Sequence, residues 1–213
     1  MVEASLLQEY LDELPEGLQS YPDCRTKGSA VRLLVNGITD NAQGQDLDKI
    51  PVELKRLLHS PPATADWVPG VHYTALNAIF VDECFSSREE SLLWVYSAQT
   101  RFLGEKIYAP LFKLLPTATL LAGAQRRYCQ FHQGVEVDVQ AVQTAAHRVT
   151  LTFPSNFMPV WRLNIVGESI RAGLDLSGVS SRSVLVSHTQ TSAIFEVSWG
   201  ELVSMRDSYQ PSP

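Results

Sequence analysis

The stretch GVEVDVQAVQTAAHRVTLTF, residues 134–153, decides the class of fold. Val135, Val137 and Val139 alternate with Glu136, Asp138 and Gln140. Val149, Leu151 and Phe153 alternate in the same way around Thr150 and Thr152. A period of two turns one set of side chains into a core and the other into water, so both runs read as half-buried strands. Two more strands follow, Arg182–Ser187 and the alternation of Ala193, Phe195, Val197 and Trp199. Between the pairs, Pro159 opens a helix that carries Leu163, Val166, Ile170 and Leu174 at helical spacing, and Gly178 stops it. Two hairpins flanking a helix predict a four-stranded antiparallel sheet with one polar face.

Everything before residue 134 reads as helices and connectors. Leu7, Tyr10, Leu11 and Leu14 form an amphipathic helix over residues 4–14, ended by Pro15 and Gly17. Tyr21–Lys27 reads as a linker. Ser29 is placed to cap a helix with Val31, Leu34, Val35 and Ile38 inward. Residues 41–44 read as a loop, and Asp46 and Asp48 lead into a stripe of Ile50, Leu54, Leu57 and Leu58. SPPATADWVPG (60–70) is rich in proline, yet Trp67 and Val68 make it a packed connector rather than a free linker. A helix over 71–84 carries Leu76, Ile79, Phe80 and Cys84. Ser86 and Ser87 with Glu89 and Glu90 open a long helix to Leu114, which Pro110 should kink or split. Thr117 caps the last helix before the strands, with Leu120, Leu121, Ala124, Tyr128 and Phe131 inward. The predicted organisation is an N-terminal helix and linker (1–23), one α+β domain (24–203) and a flexible tail (204–213).

Composition excludes several classes. The 213 residues are 45% hydrophobic and 19% charged, which is neither a disordered chain nor a coiled coil. Lys and Arg number 17 against 23 Asp and Glu, and a net charge of −6 argues against nucleic acid as a partner. The acids concentrate in the first half, where they offer an acidic helical face. Cys24, Cys84 and Cys129 are odd in number and form no C-x-x-C, which fits a reduced, cytoplasmic setting. Cys84 and Cys129 fall in apolar helical patterns and are expected to be buried. The N-terminus has no signal-peptide pattern, and no apolar run is long enough to span a membrane.

No catalytic signature is present. His59, His72, His132, His147 and His188 form neither H-E-x-x-H nor H-x-H, and there is no G-x-S-x-G, Walker loop or G-x-G-x-x-G. The densest chemical cluster is RRYCQFHQG (126–134), where the last long helix meets the first strand. Such junctions are common places for a pocket. Arg126 and Arg127 point about 100° apart on a helix, so only one of them would reach it.

The order of elements from Cys24 to Trp199 resembles one family. The features that carry it are KGSAVRLLVNGI, DWVPGVHYTALNAI, YAPLFKLLPTATLLAGAQRRYCQFHQG, LNIVGESIRAGLDLSGV and TSAIFEVSWG. These look like the paralogous family of unknown function abundant in myxobacteria. More distantly they are similar to the superfamily of haem nitric-oxide-binding sensor domains, four-vinyl-reductase domains and vesicle-tethering subunits of Golgi transport. The resemblance implies helices over one face of a four-stranded antiparallel sheet, with a ligand or lipid chain between the layers. The haem sensors hold the haem propionates with a Y-x-S-x-R signature. The nearest string here, Tyr96 to Arg101, has the wrong spacing and precedes the sheet. No cofactor is therefore expected, haem included.

The function expected is a non-enzymatic cytoplasmic module for regulation or assembly that binds a small apolar ligand or a protein partner, a second copy included. Tyr128, Phe131, Trp161 and Phe195 are the expected walls of its site, with Arg127 or His132 as the polar contact. The alternative is a scaffold subunit that works without a ligand, through its acidic helical surface and N-terminal helix.

Overall fold

The computed structural model describes residues 5–42, 50–104, 112 and 114–200. From the N-terminus the described elements are α1 (Leu6–Asp12), β1 (Arg25–Lys27), α2 (Gly28–Asn41), α3 (Val52–His59), β2 (Trp67–Pro69), α4 (Gly70–Glu83) and α5 (Arg88–Leu103). Then come α6 (Thr117–Ala122), α7 (Ala124–Tyr128), β3 (His132–Gln133), β4 (Glu136–Gln143), β5 (Ala146–Thr152), α8 (Val160–Asp175), β6 (Ser180–His188) and β7 (Ser192–Gly200).

The alternating runs form the sheet they predict. Its order is β4-β5-β7-β6, antiparallel throughout. Register puts the apolar residues on one face: Val137 faces Leu151, Leu151 faces Ala193, and Val149 faces Phe195. Those five side chains are all buried, which ties the register to the core. Helix α8 lies on that face. A Cβ on its Gly167 would sit 3.4 Å from the Phe195 ring, so the small residue lets helix and sheet approach closely. Gly178, at φ +86°, ends the turn after the helix as the sequence predicts. The fold is α+β.

Helix α4 is the centre of the helical layer. Val71, Ala75, Leu76, Ala78, Ile79 and Phe80 are all buried. A helix this apolar all round needs neighbours on every side, and α1, α2, α3, α5 and α8 supply them. Helix α1 packs on it with Leu6, Tyr10 and then Leu14 buried, and the Leu6 N–H donates to Asp82 Oδ2 at 2.6 Å. The N-terminal helix thus spends its apolar face on its own chain.

Several local expectations are corrected. The linker 21–27 and the connector 60–70 contribute strands β1 and β2, which join β3 in a second, three-stranded sheet of order β2-β1-β3. Ser29 does not cap α2. The Gly28 and Ser29 N–H groups donate to the carbonyls of Asp66 and Thr64 at 2.9 and 3.2 Å, so backbone replaces a side-chain cap. A Cβ at residue 28 would meet the Ala63 carbonyl oxygen at 2.0 Å, so only glycine allows this approach. Thr117 lies inside α6 rather than capping it, and its hydroxyl pairs with that of Ser177 at 2.9 Å. The helix expected from 117 to 131 breaks at Gly123 into α6 and α7. Helix α5 ends at Leu103 with Gly104 as its C-cap, and the predicted kink at Pro110 lies outside the described residues. The loop at 43–44, the acidic lead-in at Asp46 and Asp48 and the tail 204–213 lie outside them too. Cys84 is only half-buried and Cys129 is exposed, because α7 turns Cys129 outward at its C-cap.

Candidate functional site

The chemistry-dense stretch 126–134 gains its shape from the second sheet. Thr26 and His132 are register partners between β1 and β3, and the Lys27 N–H donates to the Phe131 carbonyl at 2.7 Å. Thr26 Oγ1 and His132 Nδ1 share a hydrogen bond at 3.2 Å. The His132 ring meets two tyrosines at a tilt, Tyr128 at 4.6 Å and Tyr73 of α4 at 5.8 Å between ring centres. The Phe131 ring meets Phe102 of α5 edge-on at 6.2 Å.

Tyr73, Phe102, Tyr128, Phe131 and His132 border a cavity of about 270 Å³, partly open to solvent. It lies where α5, α6, α7 and α8 meet, and most of its wall is aliphatic or aromatic. Leu121 comes from α6, Val166 and Ile170 from α8, and Phe102 from α5. Arg127, Tyr128, Phe131 and His132 all line it.

Trp161 and Phe195 do not, and this corrects the expectation that they wall the site. Trp161 lies on the far side of α8 against Tyr10, with ring centres 6.1 Å apart. Phe195 is sealed between α8 and the sheet. The residue that sequence reasoning missed is Arg162, the next position after Trp161. One residue along a helix turns the side chain by about 100°, enough to move from one neighbour to another. Arg162 is only 5% exposed, an unusual burial for arginine. The signal available was a charged residue inside an apolar stripe, VWRLNIV.

Charge in the cavity is one-sided. The described lining contains Arg127 and Arg162 and no Asp or Glu. Nη2 of Arg127 and Nε of Arg162 are buried without a hydrogen-bond partner among the described residues. The Arg162 guanidinium stands over the Tyr73 ring at 5.0 Å. Burial, aided by the Arg162 charge, holds the His132 imidazole neutral, with its pKa pushed down to about 3. Burial also raises the Tyr128 phenol and lowers Arg127. The acids of α8 are engaged elsewhere. Glu168 accepts from Arg171 Nε at 2.9 Å, and Asp175 accepts from the Tyr96 hydroxyl at 2.8 Å.

Haem is the cofactor that the resemblance raises, and the cavity can be tested against it. A neutral imidazole and two cations are chemically suitable for iron and propionates. Space is not. Pockets for drug-sized ligands run to roughly 300–1,000 Å³, a porphyrin is larger than most such ligands, and this cavity falls below that range. Two tyrosine rings pack against His132, and its Nδ1 is bonded to Thr26. Tyr96 of the Tyr96–Arg101 string is tied to Asp175, with Arg171 over its ring at 4.2 Å. The described cavity does not fit a haem.

No protein-family model matches the chain, and no curated protein matches it. Solved structures do. The Fe(II) unliganded H-NOX protein from K. algicida aligns at 10% identity with a TM-score of 0.54, over 83% of this chain and 98% of that one. A point mutant of the T. tengcongensis H-NOX aligns at 10% identity with a TM-score of 0.55, over 83% and 99%. An H-NOX structure solved to probe heme distortion aligns at 10% identity with a TM-score of 0.52, over 87% and 100%. These matches correct the expectation that excluded a cofactor, because the fold is one whose solved members include Fe(II) and heme proteins. In its fold, over more than four fifths of its length, this chain is similar to the H-NOX domains.

Proposed function

We propose that the chain is a non-enzymatic sensory or regulatory module that takes a small, largely apolar ligand into the cavity between α5, α6, α7 and α8. The observation that carries this reading is the cavity itself. About 270 Å³ of mostly apolar space, partly open to solvent, lies at the meeting point of the helical layer and the helix that rides on the sheet. A concave, mostly apolar space with a few convergent polar groups is what small-molecule sites have in common. The likeness in fold to H-NOX proteins, one of them an Fe(II) protein, supports the same reading.

Ligand occupancy would be felt by both layers. Helix α8 touches the cavity with Val166 and Ile170 and the sheet with Gly167. Residues 131–132 tie the other wall to β1. A ligand that fills the space therefore bears on two elements that face different parts of the surface.

Native mass spectrometry of the purified protein, with an absorption spectrum of its denatured extract, tests the reading. A copurifying apolar mass supports it, and a tetrapyrrole would replace it with a haem-type function. Aminoanthracene supplies an independent probe, since its fluorescence rises in an apolar site. Phe131→Ala should weaken its binding, whereas Trp161→Ala, outside the cavity, should not. Equal binding to both variants and the parent would remove this cavity as the site.

A further inference from the structure

The geometry points to a ligand that is an amphipathic oxyanion, an apolar body ending in a carboxylate held by Arg162 and Arg127. This deepens the reading of the cavity as a ligand site and rests on it.

The inference follows from an unbalanced charge. Two guanidinium groups border the cavity, each with a buried N–H that has no partner, and the described lining supplies no carboxylate. His132 adds no counter-charge, being neutral or positive. A buried charge is tolerated when it is paired and hydrogen-bonded. Among the described residues, Arg162 makes a cation–π contact with the Tyr73 ring and no ion pair. Cation–π contacts contribute less than the several-fold larger cost of withdrawing an ion from water. A water-sized void of about 10 Å³ also touches Arg162, bordered by Thr26 and Thr74. A water there would satisfy an N–H but would not balance the charge.

Position then sets the shape of the ligand. Arg162 and Arg127 belong to different helices, α8 and α7, so an oxyanion between them would bridge the two walls. The remainder of the ligand would lie along Leu121, Val166, Ile170 and Phe102. Guanidinium groups suit this task because they remain charged when buried and present several N–H donors in one plane. Charged hydrogen bonds are the strong ones, so the head group should dominate selectivity while the chain supplies affinity.

Decanoate, decanol and decyl phosphate make the test, measured by displacement of aminoanthracene from the full-length protein. The expected result is decanoate binding at least about tenfold tighter than decanol, the worth of one charged hydrogen bond. Arg162→Met should abolish that preference, bringing the ratio of decanoate to decanol affinity down towards one. Arg127→Met, at a half-exposed position, repeats the test should the first variant fold poorly. Decyl phosphate binding more tightly than decanoate would overturn the carboxylate head in favour of a phosphate. Decanol and decanoate binding equally would overturn the oxyanion while leaving the cavity reading intact. Aminoanthracene and all three chains failing to bind would overturn both.

Discussion

The guanidinium of Arg162 lies 5.0 Å from the centre of the Tyr73 ring, and no described carboxylate faces it. In the ligand-free protein this arrangement stores an unfavourable charge. Replacing buried ions with apolar groups of similar size often stabilises by about 1–4 kcal/mol. The lost cation–π contact returns about 0.5–2 kcal/mol of that. Arg162→Met should therefore raise the stability of the free protein by about 1–2 kcal/mol, or ~2–8 °C in Tm. Thermal unfolding of ligand-free protein checks it, and a clear fall in Tm would mean that the cation is already balanced.

His132 gives a pH prediction of definite sign. Burial pushes its folded-state pKa down to about 3, against an ordinary value of 6.5. Between those values the unfolded state holds more protons than the folded one. Stability therefore rises with pH through this window and is lost as pH falls through it. One such group contributes a slope approaching about 1.4 kcal/mol per pH unit. Urea unfolding from pH 7 to 4, compared between the parent and His132→Gln, isolates this from the carboxylates that titrate there too. The variant should lose less stability on acidification, and parallel curves would show that His132 protonates normally.

Gly134 links the histidine strand to β4 at φ +80°, and a Cβ there would fall 2.5 Å from Cys24 Sγ and 2.8 Å from Cys24 Cα. Gly134→Ala meets both a left-handed backbone and a crowded neighbour. A loss of about 2–4 kcal/mol is expected from the two together. Chemical denaturation measures it. Gly178→Ala is the comparison, since it shares the positive φ but has nothing within 4 Å of the new Cβ, and should cost less.

Tyr10 distinguishes a helix that serves its own core from one offered to a partner. Its ring is 2% exposed, meets Trp161 edge-on, and its hydroxyl donates to the Phe157 carbonyl at 3.3 Å. Truncating a buried aromatic costs about 3–5 kcal/mol. Tyr10→Ala should lower Tm by ~6–20 °C and leave the subunit count unchanged. Native mass spectrometry with thermal unfolding reads both, and a changed count with little loss in Tm would favour the scaffold alternative.

Residue periodicity carried the larger sheet because its strands are long enough to show it. Val135 to Val139 and Ala193 to Val197 each run through more than one full repeat, and burial of one face leaves a single register. Strands β1, β2 and β3 span two or three residues, too short for any period. Thr26, Val68 and His132 consequently read as linker, connector and helix end, although their pairing shapes the site. A cap such as Ser87, which accepts from the Glu90 N–H at 3.2 Å, is legible because it is local. The start of α2 is not, because distant carbonyls of Thr64 and Asp66 replace the cap.

The α+β class, the order of the larger elements and the cluster at 126–134 were legible from residue order, because each depends on spacing along the chain. Tertiary structure alone decided which face of α8 meets the cavity. That choice set Trp161 against Tyr10 and turned Arg162 inward beside Tyr73. The physical reason is that a side chain's surroundings depend on what packs against its helix. A lone arginine in an apolar stripe looks the same in sequence whether it reaches water or closes on a cavity.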